Sequence, residues 1–217
     1  MIVLAEALRR RLAEGLPGRE AQLRMAPTPR PGWNPDGVPE GLRDAAGLVL
    51  IYAHDGEWHV PLTLRGSWMR QHTGQVSLPG GRVDPGETIE QAALREAHEE
   101  IGVAAASVAV IGRLTPLHIP VSGHLLHPVV GVAGRRPAFR VAASEVERLI
   151  EVPLRTLLAP GTVLRETRIR EQPPLVAMDV PFFAVDGVKV WGATAMVLAE
   201  LLAVVATLDP AVSARFR

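Results

Sequence analysis

The chain has 217 residues, enough for one domain with a substantial core, and no cysteine, which excludes a disulfide framework, a thiolate zinc site and a cysteine nucleophile together. Lys plus Arg balance Asp plus Glu at 23 each, so no global positive field gathers nucleic acid or an anionic membrane. Any phosphate binding has to be local.

From the N-terminus, residues 1–11 place their basic side chains after the apolar ones and are interrupted by Glu6, the reverse of a secretory signal. They predict a short amphipathic helix, and a cytoplasmic location suits the cysteine-free chain. Residues 17–45 hold Pro17, Pro27, Pro29, Pro31, Pro35 and Pro39 with little periodicity, which predicts an extended leader over the surface. The whole leader, 1–45, is expected to belong to the same domain as 46–217. It leaves three roles open: covering the sheet, a homodimer contact, or neither.

The apolar run 46–52, the turn Asp55-Gly56-Glu57 and the run 59–64 predict a β-hairpin. Further strands are expected at 103–114, 125–132 and 176–185, and helices at 88–101, 143–150 and 192–207. Residues 190–208 are nearly long enough to cross a bilayer, but Glu200 and the missing basic flank make them a buried helix. The fold class is therefore α/β, a mixed sheet covered on both faces, with no internal repeat.

The chemistry concentrates in residues 80–103. Asp84-Pro85-Gly86 is a turn, Thr88 with Gln91 three residues on is a capping box, and Gly102 stands where a helix C-cap belongs. On that helix Glu96, Glu99 and Glu100 share one arc, because residues three and four apart are surface neighbours. Ile89, Ala93, Ala97 and Ile101 form the adjoining arc, so the acidic arc borders a buried face. Two readings stand for it: a solvated acidic surface, or a set of hard oxygen ligands for magnesium or manganese, whose charge removes the mutual repulsion.

Gly81, five positions, Glu87, seven positions, then Arg95-Glu96-Ala97-His98-Glu99-Glu100-Ile101-Gly102-Val103 is similar to the Nudix box, G-x5-E-x7-R-E-U-x-E-E-x-G-U, with Ala97 where a larger aliphatic is usual. The resemblance implies the Nudix α/β/α sandwich and a pyrophosphohydrolase. It also implies Mg²⁺, or Mn²⁺, held by Glu96, Glu99 and Glu100 with the carbonyl of Gly80. Glu87 would pair with Arg95 to fix the helix ends. Before the box, Leu62, Thr63, Arg65, Arg70, Gly74, Val76, Pro79, Gly80 and Gly81 resemble the further motif of the coenzyme A pyrophosphatase branch, L-L-T-x-R-S-x3-R-x3-G-x-V-x-F-P-G-G. Pro61, Gly66 and Leu78 depart from it. This resemblance implies cleavage of coenzyme A to 3′,5′-ADP and 4′-phosphopantetheine.

Arg65 and Arg70 stand where guanidinium forks reach phosphates, though each alone also reads as surface charge. Gln75, Arg82 and Thr73 are weaker substrate candidates. Glu99 or Glu96 in the box, or Glu145 outside it, is the candidate general base. His118, His124 and His127 are close in sequence, but Pro120, Gly123 and Pro128 break any ligand spacing. Trp191 reads as a core or rim aromatic before a stacking platform. Two other functions remain: a Nudix hydrolase of ADP-ribose, a dinucleoside polyphosphate or a nucleoside triphosphate, and a Nudix-fold nucleotide sensor without turnover. The complete carboxylate set argues against the sensor, and the neutral balance with few aromatics argues against an RNA-binding module.

Overall fold

The computed structural model describes residues 2–34, 37–66, 74–170 and 175–208. The N-terminal amphipathic stretch forms α1 (Ile2–Glu14), whose Leu4 and Leu8 are buried. The leader is not extended throughout. Residues Gly18–Leu23 form a second helix, α2, with Ala21 and Gln22 buried, because a partner elsewhere in the chain fixes its first turn. The apolar run then becomes β1 (Arg43–His54), buried continuously over residues 46–52, as befits a strand covered on both faces. Asp55 and Gly56, with φ of 48° and 80°, supply the two left-handed residues of a tight hairpin turn into β2 (Glu57–Arg65).

Beyond the hairpin β1 and β2 diverge, and the chain returns to fill the gap with β3 (Val76–Ser77), paired to β2, and β4 (Gly80–Arg82), paired to β1. The expected helix follows as α3 (Ile89–Ile101). In the stretch expected to be strand at 103–114, residues Ala105–Ser107 form a 3-10 turn, where the Ser107 hydroxyl bonds back to the Ala104 carbonyl at 2.6 Å. Only β5 (Ala109–Arg113) is strand. Then come β6 (Leu117–Ile119) and β7 (His124–Ala133), the latter parallel to β1 and so making the sheet mixed.

The helix expected at 143–150 is instead β8 (Val146–Pro153), lying along β2 from His59 to Arg65. Val146, Ile150 and Val152 fit a helical or a strand period, and the open edge of β2 decides between them. A short helix α4 (Leu154–Leu158) and the strands β9 (Val163–Ile169), β10 (Ala177–Val185) and β11 (Val188–Trp191) follow, the last three forming a separate sheet in the order β11-β10-β9. Only β10 was foreseeable, since β9 is exposed along most of its length and shows no apolar period. The last described element is α5 (Gly192–Ala206).

Two apolar clusters fix the layers. On one face of the main sheet Ala92, Ala93, Ala97 and Ile101 of α3 meet Ala46, Leu48, Leu50 and Tyr52 of β1. On the other, Leu4 and Leu8 of α1 and Leu198, Leu201 and Val204 of α5 join Val49 and Ile51. This is an α/β/α sandwich. Glu200 on α5 is fully buried yet satisfied. Its carboxyl oxygens accept from the Gly18 N–H (3.2 Å), Gln22 Nε2 (2.8 Å), and the N–H (3.2 Å) and hydroxyl (2.6 Å) of Thr115. That cluster is the partner that orders α2. Among the described residues no helix is long and apolar enough to cross a membrane.

Candidate active site

The helix carrying the acidic arc is held at both ends by local chemistry. Glu87 N–H closes the Asp84 turn at 3.0 Å, with Gly86 at φ 88°. Thr88 and Gln91 exchange the two bonds of a capping box, at 3.2 and 2.8 Å. At the C-terminus Gly102 is left-handed at φ 72°, and a Cβ there would stand 2.9 Å from the Cβ of Arg140. That close approach has a purpose. The passing segment caps the last helical carbonyls, Arg140 N–H to Ile101 O and Ala142 N–H to Glu100 O, both at 2.9 Å. The same segment delivers Glu145, whose carbonyl accepts from Gly66 N–H at 3.1 Å.

The three carboxylates of the arc differ sharply in surroundings. Glu100 is only 4% exposed, and the bond recorded to its carboxylate is a long one, from Gly80 N–H at 3.3 Å. Burial pushes its pKa up to about 7. Glu96 and Glu145 add to the rise, while the Gly80 N–H and the Arg65 charge oppose it. Glu96, half-buried, is also raised, first by burial, against the pull of Arg95. Glu99 is exposed. Gly81 is a cradle for Glu96, since any Cβ at that position would lie 2.4–2.7 Å from the carboxylate. Gly80 is equally constrained, because its Cβ would meet the Ala46 carbonyl at 2.3 Å.

Arg95 is the hub. Its Nε and Nη2 grip Glu87 bidentately at 2.8 and 3.0 Å, Nη2 also reaches the Arg82 carbonyl at 3.0 Å, and Nη1 bridges Glu96 (2.9 Å) and Glu99 (3.1 Å). The grip holds Glu87 below the usual carboxylate range and Arg95 above the usual guanidinium range. Arg95 thus lies between two of the three predicted ligands, and among the described residues no three acidic or histidine side chains converge as a ready cage. The donors nonetheless fit a hard divalent cation: they are carboxylate oxygens, two of them lifted towards protonation by burial, in a cradle of two glycines. Glu96 and Glu99 would reach such an ion by exchanging Arg95 for it.

Of the residues expected to bind substrate, Arg65 stands within electrostatic reach of Glu100, and its backbone N–H bonds the Gln75 carbonyl at 3.0 Å. Arg65 therefore flanks the arc, and Gln75 is its backbone neighbour across the sheet edge. Arg82 follows Gly81 on β4, so its exposed side chain points away from α3, and only its carbonyl contacts Arg95. Arg70 and Thr73 lie outside the described residues. His127 is taken up by Asp44 at 2.8 Å, and Trp191 lies under the Arg168 guanidinium, 4.2 Å from the ring centroid. The bracing of α3 by residues 139–145 was not legible in sequence, where Gly102 was its one signal.

The fold has counterparts among known proteins. A family model described as the NUDIX domain matches residues 41–151. The uncharacterized Nudix hydrolase NudL of Yersinia pestis (strain Pestoides F) is 40% identical over 118 residues, 54% of this chain, and the chain spans 58% of that relative's length. Among solved structures, a Nudix hydrolase from M. smegmatis, RenU, superposes with a TM-score of 0.52 at 24% identity, covering 83% of this chain and 98% of that one. A MutT/nudix family protein from Enterococcus faecalis gives 0.52 at 16% identity, covering 82% of this chain and 69% of that one. The structural likenesses speak for the fold alone, while the family model spans half the sequence and includes every carboxylate of the arc, so the chain belongs to the Nudix hydrolase family.

Proposed function

We propose that this protein hydrolyses the diphosphate linkage of a nucleotide, with coenzyme A or its derivatives as substrate and 3′,5′-ADP and 4′-phosphopantetheine as products. The observation that carries the reading is Glu100: a buried carboxylate with little compensation, beside Glu96 and Glu145 and facing Arg65. The coenzyme A assignment is supported by the resemblance of residues 62–81 to the branch motif.

Glu100, Glu96 and, after release from Arg95, Glu99 would hold Mg²⁺ or Mn²⁺ with the Gly80 carbonyl. Such an ion supplies charge neutralisation of the phosphates and a bound water acidic enough to deprotonate near neutral pH. Arg65 grips a non-bridging phosphate oxygen, and Arg70 is proposed for the same work. The water oxygen bonds to one phosphorus as the bridging P–O bond breaks, and its electron pair leaves with the departing phosphate. A carboxylate takes the water's proton, with Glu145 the candidate delivered from outside the helix and Glu96 or Glu99 those within it. Arg95 holds the first turn and the acidic arc in register through Glu87.

Chromatographic identification of products from coenzyme A, its acyl esters and ADP-ribose, with magnesium present, tests this. Release of 3′,5′-ADP from coenzyme A is expected. Cleavage of ADP-ribose with coenzyme A left intact would sink the substrate assignment, and saturable nucleotide binding without turnover at any metal concentration would sink the hydrolase.

A further inference from the structure

The small sheet has an open edge. Its strands pair in the order β11-β10-β9, and among the described residues no strand lies on the outer side of β9. On the other side of β10 the leader joins the sheet, where Thr28 and Asp179 exchange backbone hydrogen bonds at 2.9 and 2.8 Å. β9 is seven residues long, carries no proline, and leaves Val163, Leu164 and Ile169 exposed by 45, 47 and 60%. Edge strands are usually shortened, bulged or covered, because a bare row of N–H and C=O groups is a template for another strand.

The register fixes which groups face outward. Ala184 N–H donates to the Thr162 carbonyl and Arg170 N–H to the Val176 carbonyl, both at 2.9 Å, and the antiparallel register between these points runs without a shift. In such a ladder hydrogen-bonded and non-hydrogen-bonded pairs alternate. Thr162 and Arg170 both face β10, so Leu164, Glu166 and Arg168 turn their backbone groups the same way, and Val163, Arg165, Thr167 and Ile169 turn theirs outward. Asp179 agrees with this: it stands opposite Thr167 and gives its own backbone groups to Thr28, away from β9.

A second copy can therefore join antiparallel only by matching odd-numbered residues to odd-numbered ones, and the side chains decide among the three two-fold registers that keep most of β9 paired. An axis at Arg165 sets two guanidinium groups directly opposite each other. An axis at Glu166 does the same with two carboxylates. An axis at Thr167 sets Glu166 against Arg168 twice and Thr167 against its own copy, so opposite charges meet and like charges do not. In that register each Glu166 gains a second guanidinium beside the Arg168 and Lys189 that already hold it. Each exposed Ile169 lies along the aliphatic stem of the other copy's Arg165.

We propose that β9 pairs with β9 of a second copy of this chain, antiparallel about a two-fold axis at Thr167, to make one continuous sheet across the two molecules. Thr167 and its counterpart exchange a pair of backbone hydrogen bonds, as do Arg165 and Ile169 on either side. A single strand edge buries little surface, so the dimer depends on concentration rather than being obligate. It stands independently of the hydrolase reading.

The chain has no cysteine, so a single introduced thiol forms a disulfide only between copies. Across a hydrogen-bonded antiparallel pair the Cα atoms stand about 5.5 Å apart, within disulfide reach. Under mild oxidation of the full chain, Thr167→Cys should cross-link roughly tenfold faster than Glu166→Cys or Arg165→Cys, whose counterparts lie beyond about 7 Å in this register. Thr167→Pro removes an outward N–H that no strand of its own chain uses, so by analytical ultracentrifugation it should weaken association by about tenfold or more while its Tm stays near the wild-type value. If Thr167→Pro melts early, the cross-linking pattern carries the test. Faster linking at Glu166 or Arg165, equal linking at all three positions, or a wild type that sediments as a monomer up to about 1 mM overturns the pairing.

Discussion

Two buried glutamates, one on each side of the sheet, meet opposite fates. Glu200 on α5 is surrounded by donors from Gly18, Gln22 and Thr115, so its oxygens are filled and it fastens the leader to the core. Glu100 on α3 is nearly as buried, but the bond recorded to its carboxylate is 3.3 Å long and its charged neighbours include two further carboxylates. A satisfied buried acid is structural. An under-satisfied one is poised for a ligand that the chain itself does not supply, and such strain persists only where the fold over-determines it.

The same isosteric change should therefore separate the two. Glu100→Gln should lower kcat on the order of a thousandfold, about 4 kcal/mol of barrier, because on the proposed reading it removes charge where phosphate and cation would meet. Glu200→Gln should leave kcat within about twofold, since its partners are remote from the arc. Comparable losses of turnover in both would end the distinction.

The second effect is on pH. Glu100 has a folded pKa of about 7 against an ordinary 4.5, so the folded chain keeps the proton that the unfolded chain has lost. Stability of the metal-free protein should fall as pH rises from 4.5 to 7, by about 3 kcal/mol in all. Glu87, Glu90, Glu151 and Glu166 are held low, and their contributions are lost only as pH falls below the same 4.5. Urea titrations of wild type and Glu100→Gln across that window check this, and parallel slopes would refute it. Glu200→Gln should instead cost about 2 kcal/mol, by setting an amide N–H₂ against donors that expect an oxygen. A gain in its melting temperature would contradict the structural role.

The helix of the site was legible in sequence because its signals are local: the turn at Asp84, the capping box at Thr88 and the glycine at 102 all act within a few residues. So was the hairpin through Asp55 and Gly56. What escaped was non-local. Residues 146–153 carry apolar spacing that suits either period, and the open edge of β2 alone makes them a strand. Glu200 could be placed in a buried helix, but not matched to Gly18 and Thr115, which are distant in the chain. The carboxylate arc was visible on the helix, whereas the insertion of Arg95 between Glu96 and Glu99 depends on side-chain packing that no helical wheel contains.

The smallest expected effect bears on how the arc is kept under strain. Gly102 and Gly187 have nearly the same left-handed φ, 72° and 74°, but a Cβ at Gly187 meets nothing within 4 Å while one at Gly102 meets Arg140 at 2.9 Å. Gly187→Ala should therefore report backbone strain alone, about 1 kcal/mol. Gly102→Ala should cost somewhat more, and it should also lower kcat, because displacing Arg140 shifts the segment that caps α3 and carries Glu145 to the arc. Urea titration with parallel turnover measurements separates the two terms. If both variants lose stability and neither loses activity, the 139–145 segment is only a cap, and Glu145 takes no part in the reaction.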